Sequence, residues 1–493
     1  MTLRRFFIIA LLLPISAFAG GSLTLTLQKA IEVANDSSLT SFKNQNLYAS
    51  GYWEWRSFKA NRLPSLSLSV KPAEYYRYIT QRYDSQENID VFRNQQMYLA
   101  SVGLMAAQNV DFLGGSLYLE SDLEYMQNFG DVTQKQFSSV PVRLGYRQEL
   151  LGYNQFKWEK RIEPVKYEKV KRQFIYNMEE VAERVVDYFF ALALAQTEYR
   201  LAVENLASAD TLYTIGERRF SIAAISQADL LTLRLEKVNA ENSLENARIS
   251  IKRARFELAS FLGLDTDTQI EVTIPGRPLP LDIPLDVALM YARDNNPTLL
   301  AHRQTVLEAE RNVSKTRAES RFNATVNASV GFNQVAPTLP GSYRNLQQQD
   351  LVSLSVSVPI LDWGVRKGKY NMAQNSLNVA KIEARQDELS VEQDVTMTLS
   401  EFSTLQRLVS SAVEALDIAD MAYNQTRQRF IIGKADINSL SLSHTRQQEA
   451  SKNYINALRN YWLSYYKIRR LTLFDFELEI PIPAAFDAAL KVR

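Results

Sequence analysis

Cysteine is absent from all 493 residues, which excludes disulfides, thiolate metal sites and lipid attachment at an N-terminal Cys. Histidine is nearly absent: the two, His302 and His444, sit on helical patterns without Cys, Asp or Glu at ligand or triad spacing, so both read as ordinary helix positions. No metal or cofactor is expected. The charge is almost balanced, with 56 basic and 55 acidic residues spread along the chain, and so lacks the basic footprint of a nucleic-acid partner. Beyond the N-terminal segment no run approaches the ~18 apolar residues of a membrane helix. Paired carboxylates such as Glu179-Glu180 fall on a charged helix face, where a solvated role is ordinary, and no acid, base or nucleophile constellation points to an enzyme.

What is there begins with an export segment. Arg4 and Arg5 precede an apolar run from Phe6 to Leu13, and Ala17-Phe18-Ala19 places small residues at the positions a signal peptidase reads. Residues 1–19 are expected to be a signal peptide, and the mature chain to leave the cytoplasm. Aromatics are plentiful at 11%, and the crowding of Tyr75, Tyr76 and Tyr78 suits a membrane-interface girdle.

The residues Met178, Val181, Val185, Tyr188, Leu192, Ala195, Tyr199, Ala202, Leu206, Ala209 and Tyr213 alternate steps of three and four, a coiled-coil seam of period 3.5. Helical pattern reaches back to about Gln155, interrupted at Pro164, which at 1.5 Å per residue makes a helix of roughly 90 to 100 Å. The pattern recurs. Val395, Phe402, Val409 and Leu416 lead in heptads to Tyr423, and Tyr423 to Phe430 repeats Tyr213 to Phe220, each copy closing on Arg-Phe before an apolar tip and a second helix. Leu27 to about Arg62 likewise aligns without gaps onto Leu285 to about Ser320, both breaking at small polar residues, Ser37-Ser38 and Asn295-Asn296. Two repeats are expected, 20–275 and 276–493, joined by a linker bearing Pro275, Pro278, Pro280 and Pro284 beside a short strand signal at Ile270 to Ile274.

Between these helices the period changes to two. Ala324, Val326, Ala328, Val330 and Phe332 alternate with small polar residues, and Val352, Leu354, Val356 and Val358 alternate with Ser353, Ser355 and Ser357. Leu66, Leu68 and Val70, then Val140, Val142, Leu144 and Tyr146, answer them in the first repeat. That repeat also holds an extra hairpin near 97–127, turning at Gly114-Gly115, whose place in the wall or outside it the pattern leaves open. Strand-to-helix corners at Leu151-Gly152-Tyr153-Asn154 and Pro359-Ile360-Leu361-Asp362-Trp363-Gly364 use Gly for the φ > 0 bend.

This order of elements resembles the TolC-type outer-membrane efflux protein family over nearly the whole mature chain. Pro359-Ile360-Leu361-Asp362-Trp363-Gly364-Val365-Arg366 is similar to the family's strand-exit signature, and Arg429-Phe430-Ile431-Ile432-Gly433 to its helix-tip signature, from which the first tip departs with Ala223 in place of Gly. The resemblance implies an α+β membrane protein. It would be a homotrimer sharing a twelve-stranded transmembrane β-barrel in outer-membrane lipid, continued into the periplasm by an α-helical barrel of coiled-coil helices. It also implies a channel-tunnel taking substrates from a periplasmic adaptor (membrane fusion) protein and an inner-membrane transporter to the outside, with small-molecule or drug efflux ahead of protein secretion. Strand count agrees independently, because four to six strands fall short of the about eight a transmembrane barrel needs, so several chains must share one.

The tips around Ile222 to Ile225 and Ile431 to Ala435 are apolar where a turn facing only water would be polar. Ile222, Ala223, Ile225, Ile432 and Gly433 are therefore the expected adaptor-docking residues. Polar residues one to three turns beyond would ring the narrow end. Asp229 aligns with an acidic position the family uses there; Ala435, Ser439 and Leu442 stand where the TolC pattern has an Arg and two Asp, leaving Lys434, Asp436 and Asn438 as the nearest groups for a gate. Asp229 has a plainer reading as a first-turn Asp behind a Ser226 cap. The competing reading of the chain is a soluble periplasmic coiled-coil scaffold or adaptor, although adaptors carry one helical hairpin rather than two.

Overall fold

A computed structural model describes residues 23–492 other than 87, 130–132 and 151, so the expected signal peptide and Leu151 of the first corner lie outside the described residues. The chain opens with β1 (Leu23–Leu25), α1 (Leu27–Ser37) and α2 (Leu39–Ala60). Four strands follow, β2 (Ser65–Asp84), β3 (Ile89–Val110), β4 (Gly115–Phe129) and β5 (Gln134–Leu150), then α3 (Gln155–Ser221), α4 (Gln227–Leu262) and β6 (Ile270–Val272). Next come α5 (Leu285–Asn295), α6 (Pro297–Glu319), β7 (Asn323–Ala336) and β8 (Gln347–Ser357). The long α7 (Val365–Ile431), α8 (Ile437–Thr472), the short β9 (Phe474–Asp475) and β10 (Ile480–Pro481), and α9 (Ile482–Val492) complete it. Two compact units form: one of residues up to Tyr48, Lys171–Asn296 and from Leu389 onward, the other of Ala49–Val170 and Pro297–Glu388.

In the first unit the 3.5-residue seam becomes the core. Val181, Val185, Leu192, Ala195, Ala202 and Ala209 of α3 are buried, as are Val395, Phe402 and Val409 of α7. On α4, Leu233, Ala240, Leu244, Ala247, Ile251, Ala254 and Leu258 keep the same spacing and the same fate. Ala at alternate seam positions lets helices approach closely, and each fully buried Leu or Val contributes about 1.5–3 kcal/mol. Pro164 does not interrupt α3, which runs through it with only its N–H missing from the ladder. α4 ends at Gly263 (φ 72), where a Cβ would stand 2.4 Å from the Ser37 carbonyl oxygen. That approach lets the Ser37 hydroxyl donate to the Leu262 carbonyl at 2.6 Å and ties α1 to the end of α4. The Pro-rich linker lies on α7: the Leu281 N–H donates to Gln406 Oε1 at 3.0 Å, and Gln406 Nε2 returns a bond to the Leu281 carbonyl at 2.8 Å.

One expectation fails here. Glu179 is buried, not solvated, and its carboxylate takes two bonds from the Arg469 guanidinium, both at 3.0 Å. Arg469 also donates to Asp475 at 2.7 Å, whose other oxygen accepts the Tyr465 hydroxyl at 2.9 Å. Burial pushes the Glu179 carboxyl above its ordinary range against the opposing pull of Arg469.

The second unit is built around one antiparallel sheet in the order β2-β3-β4-β5-β7-β8. The extra hairpin β3–β4 is therefore part of this sheet, between β2 and β5. A twelve-stranded barrel shared by three chains would take four strands from each; this sheet has six. His302 sits on α6, and its Nε2 meets the Asp387 carboxylate of α7. At the second corner Trp363 (φ 54) and Gly364 (φ 88) both turn left-handed, and Asp362 accepts from the Gly364 and Arg366 amides at 3.0 and 3.1 Å to start α7.

Candidate membrane surface and helix tips

The sheet register sorts side chains by chemistry. Leu68 faces Leu104, Val70 faces Val102 and then Leu123, and Leu119 faces Leu144 and then Val330. The row Leu117, Tyr146, Ala328, Val352 crosses four strands on the same side. Most of these apolar side chains are exposed, from 39% at Val102 to 80% at Val352, with Leu123, Tyr146 and Ala328 half-buried, and no second layer covers them among the described residues. The opposite side carries Ser67, Met105, Glu120, Arg143 and Gly331 in one row, with Glu120 and Arg143 paired as ions.

One end of the apolar band is aromatic. Tyr75 pairs with Tyr98 in register, and Tyr98–Tyr125 and Tyr125–Phe137 ring centroids lie 6.2 and 5.2 Å apart. Of the three crowded tyrosines only Tyr75 joins this row, because the irregularity between Lys71 and Glu74 sets Tyr76 and Tyr78 on the other side. The other end presents Phe112 at the β3–β4 turn and Trp363 at the second corner, 91% and 88% exposed. Between the rows, Leu117 to Tyr125 matches the roughly 9–11 residues a tilted strand needs to cross hydrocarbon.

The helix tips of the first unit share one construction. α3 and α7 each close with paired bonds: Ala224 N–H to Arg219 O and Ala223 N–H to Phe220 O in one, Lys434 N–H to Arg429 O and Gly433 N–H to Phe430 O in the other, all 2.8–2.9 Å. This closure needs a left-handed residue, supplied by Gly433 (φ 73) and, against its preference, by Ala223 (φ 57). The two tips meet through Arg219, whose Nη2 donates to the Ile431 carbonyl at 3.4 Å while the guanidinium lies 5.7 Å from the Phe430 ring. Ile222 and Ile432 are exposed, as are Ala223 and Gly433, and Ile225 is half-buried.

Asp229 and Asp436 occupy mirrored roles. Ser226 caps α4, its Oγ accepting the Asp229 N–H at 3.1 Å, while the Asp229 carboxylate takes the Ser226 amide at 3.1 Å and its hydroxyl at 2.7 Å. At α8 the types are exchanged: Asp436 is the cap and accepts the Ser439 N–H and hydroxyl, each at 2.8 Å. These bonds hold both carboxyls below the ordinary Asp range, led by the Ser226 hydroxyl for Asp229 and the Ser439 amide for Asp436. Lys434 and Asn438 are exposed beside them. Sequence reasoning found both Asp residues but missed the exchange, for which Ser226-x-x-Asp229 against Asp436-x-x-Ser439 was the signal. It also missed Arg219 as the bridge between tips. Further along the same helices His444 is half-buried, its ring 5.1 Å from Tyr423 and its Nε2 3.3 Å from Gln448 Nε2, beside a cavity of about 50 Å³ lined also by Leu233, Glu236 and Leu440.

Residues 289–472 match the model of the family described as Outer membrane efflux protein. The cobalt-zinc-cadmium resistance protein CzcC of Cupriavidus metallidurans is 22% identical over 261 residues, covering 52% of this chain and 58% of that protein. Two solved structures share the fold over most of their length. The CmeC outer-membrane channel of Campylobacter jejuni has a TM-score of 0.65 at 13% identity, covering 93% of this chain and 89% of CmeC. The outer membrane protein VceC of Vibrio cholerae has 0.62 at 14%, covering 90% and 95%. The chain is homologous to the TolC-type outer-membrane efflux proteins. CmeC and VceC are both outer-membrane proteins.

Proposed function

We propose that the chain is one subunit of a trimeric outer-membrane channel through which small molecules leave the cell. The observation that supports it most is the open apolar face of the sheet, continuous across strands, edged by aromatics and opposite the charged side chains. In water that face costs about 25 cal/mol for each Å² left uncovered, whereas lipid covers it. The free edges of β2 and β8 need partners, since unpaired backbone groups in lipid cost several kcal/mol each, and further copies of the chain supply them. A soluble scaffold would leave both the face and the edges unanswered.

The homologues' role adds a periplasmic adaptor, met by the tips at Ile222, Ala223, Ile225, Ile432 and Gly433, and an inner-membrane transporter. The transporter supplies the energy, because this chain carries no nucleotide-binding motif. Asp229 and Asp436, with Lys434 and Asn438 beside them, form the charged narrow end, where carboxylates repeated around an axis favour cations. CzcC is named for resistance to cobalt, zinc and cadmium, so divalent transition-metal cations are the first substrates to assay. Purified protein added to planar lipid bilayers should produce discrete conductance steps. A bilayer that stays silent while the protein inserts would remove the channel reading.

A further inference from the structure

We infer that the outer-membrane exit is an eighteen-stranded barrel, wide enough to admit solutes that a twelve-stranded wall would turn away. This rests on the trimeric channel proposed above and concerns what the β3–β4 hairpin does to it. The hairpin is integral to the sheet: β3 pairs with β2 from Ser65↔Ala107 to Asp84↔Ile89, β4 pairs with β5 from Ser116↔Arg147 to Asn128↔Gln134, and β2 has no ladder to β5. Its chemistry follows the wall. Val102, Leu104, Leu117, Leu119 and Leu123 lie on the lipid-facing side in register with Val70, Leu68, Tyr146, Leu144 and their rows, while Glu120, Asp122 and Glu124 lie on the other. A hairpin standing outside the membrane would have no reason to divide charge from hydrocarbon in phase with its neighbours.

Closure is also consistent. Six strands is an even number, so β8 of one copy meets β2 of the next running antiparallel, as every other pair in the sheet does. Three copies of a six-stranded sheet make eighteen. Barrel diameter grows roughly linearly with strand number, so eighteen against twelve widens the exit about one and a half times. Its lining at the hairpin level mixes the small Ser67, Ser329 and Gly331 with Met105 and Tyr118, the Glu120–Arg143 pair and Asp122 above Gly103. Such an exit admits hydrophilic solutes over a wide range of size, bulky ones included, and does not set the size limit.

The test uses polymer exclusion in planar bilayers. Neutral polyethylene glycols of graded size are added on the outer side of the full-length channel and of a variant lacking residues 86–133, which joins the outer ends of β2 and β5. The full-length channel should be partly blocked by polymers with radii up to about one and a half times those that enter the variant. Equal cut-offs would overturn the proposal. If the variant fails to assemble, paired cysteines in this Cys-free chain decide the same point in outer membranes, because Ser67, Met105, Glu120 and Arg143 share one row. Ser67→Cys with Met105→Cys should oxidise to an intrachain disulfide; a disulfide from Ser67→Cys with Arg143→Cys would place β2 beside β5 and overturn it. Native mass of the same preparations reports the trimer separately, so loss of the trimer and loss of the six-stranded wall give different results.

Discussion

At the scale of single residues, the side chains with most at stake are those whose partners lie far off in sequence. Arg469 holds Glu179 and Asp475, and all three side chains are largely withdrawn from water, at 18%, 10% and 9% exposed. Removing one partner of a buried pair leaves uncompensated charge, at about 3–5 kcal/mol. Arg469→Ala should therefore lower the denaturation midpoint of the extracted protein strongly, and an unchanged midpoint would contradict that assignment. Gly433→Ala should cost about 1 kcal/mol because it imposes a left-handed Cβ, whereas Ala223→Gly should be neutral or stabilising; limited proteolysis at the tips measures both. Ala223 was legible as a departure from the tip pattern, since glycine marks a left-handed turn. Glu179 was not, because periodicity reports which way a side chain faces and not what waits 290 residues later.

Among the elements, the long helices were legible from heptads alone: a strict 3.5 spacing of apolar residues has few other physical outcomes. The place of the β3–β4 hairpin was not, because alternation marks a strand without saying which strand it joins. Two predictions belong to the helix tips. Burial pushes the His444 imidazole below its usual 6.5, with Glu204 opposing, so the unfolded chain takes up the proton first as pH falls. The stability contributed by neutral His444 is full above about 6.5 and is lost as pH falls below it. Asp229 and Asp436, held below 3.8, contribute above that value and lose their contribution only at stronger acid, so His444 is the group at the tips whose contribution is lost between pH 7 and 5. Carboxyls raised by burial, Glu179 among them, are common to the native protein and His444→Gln, so the melting temperature should fall more steeply with acid in the native protein than in the variant; parallel curves would contradict the assignment. At the tip itself, a Cβ on Gly433 meets nothing nearer than Arg219 Nη2 at 3.9 Å, so Gly433→Trp has room. It should abolish export while the protein still reaches the outer membrane, and export at the native rate would remove the docking role.

For the whole molecule, the decisive property is a surface that water cannot satisfy. The sheet's apolar face and its free edges at β2 and β8 call for lipid on one side and further copies at the ends. The need for several chains was legible from strand number, because too few strands cannot close; the number contributed by each chain awaited the sheet order. Asp229→Asn together with Asp436→Asn should lower cation over anion permeability in bilayers; unaltered selectivity with a lower melting temperature would leave both as helix caps. The most direct test of the account is native mass measurement on protein taken from fractionated cells. The protein should require detergent for release from outer membranes and then have the mass of three chains; recovery as a monomer in the soluble periplasmic fraction would contradict it.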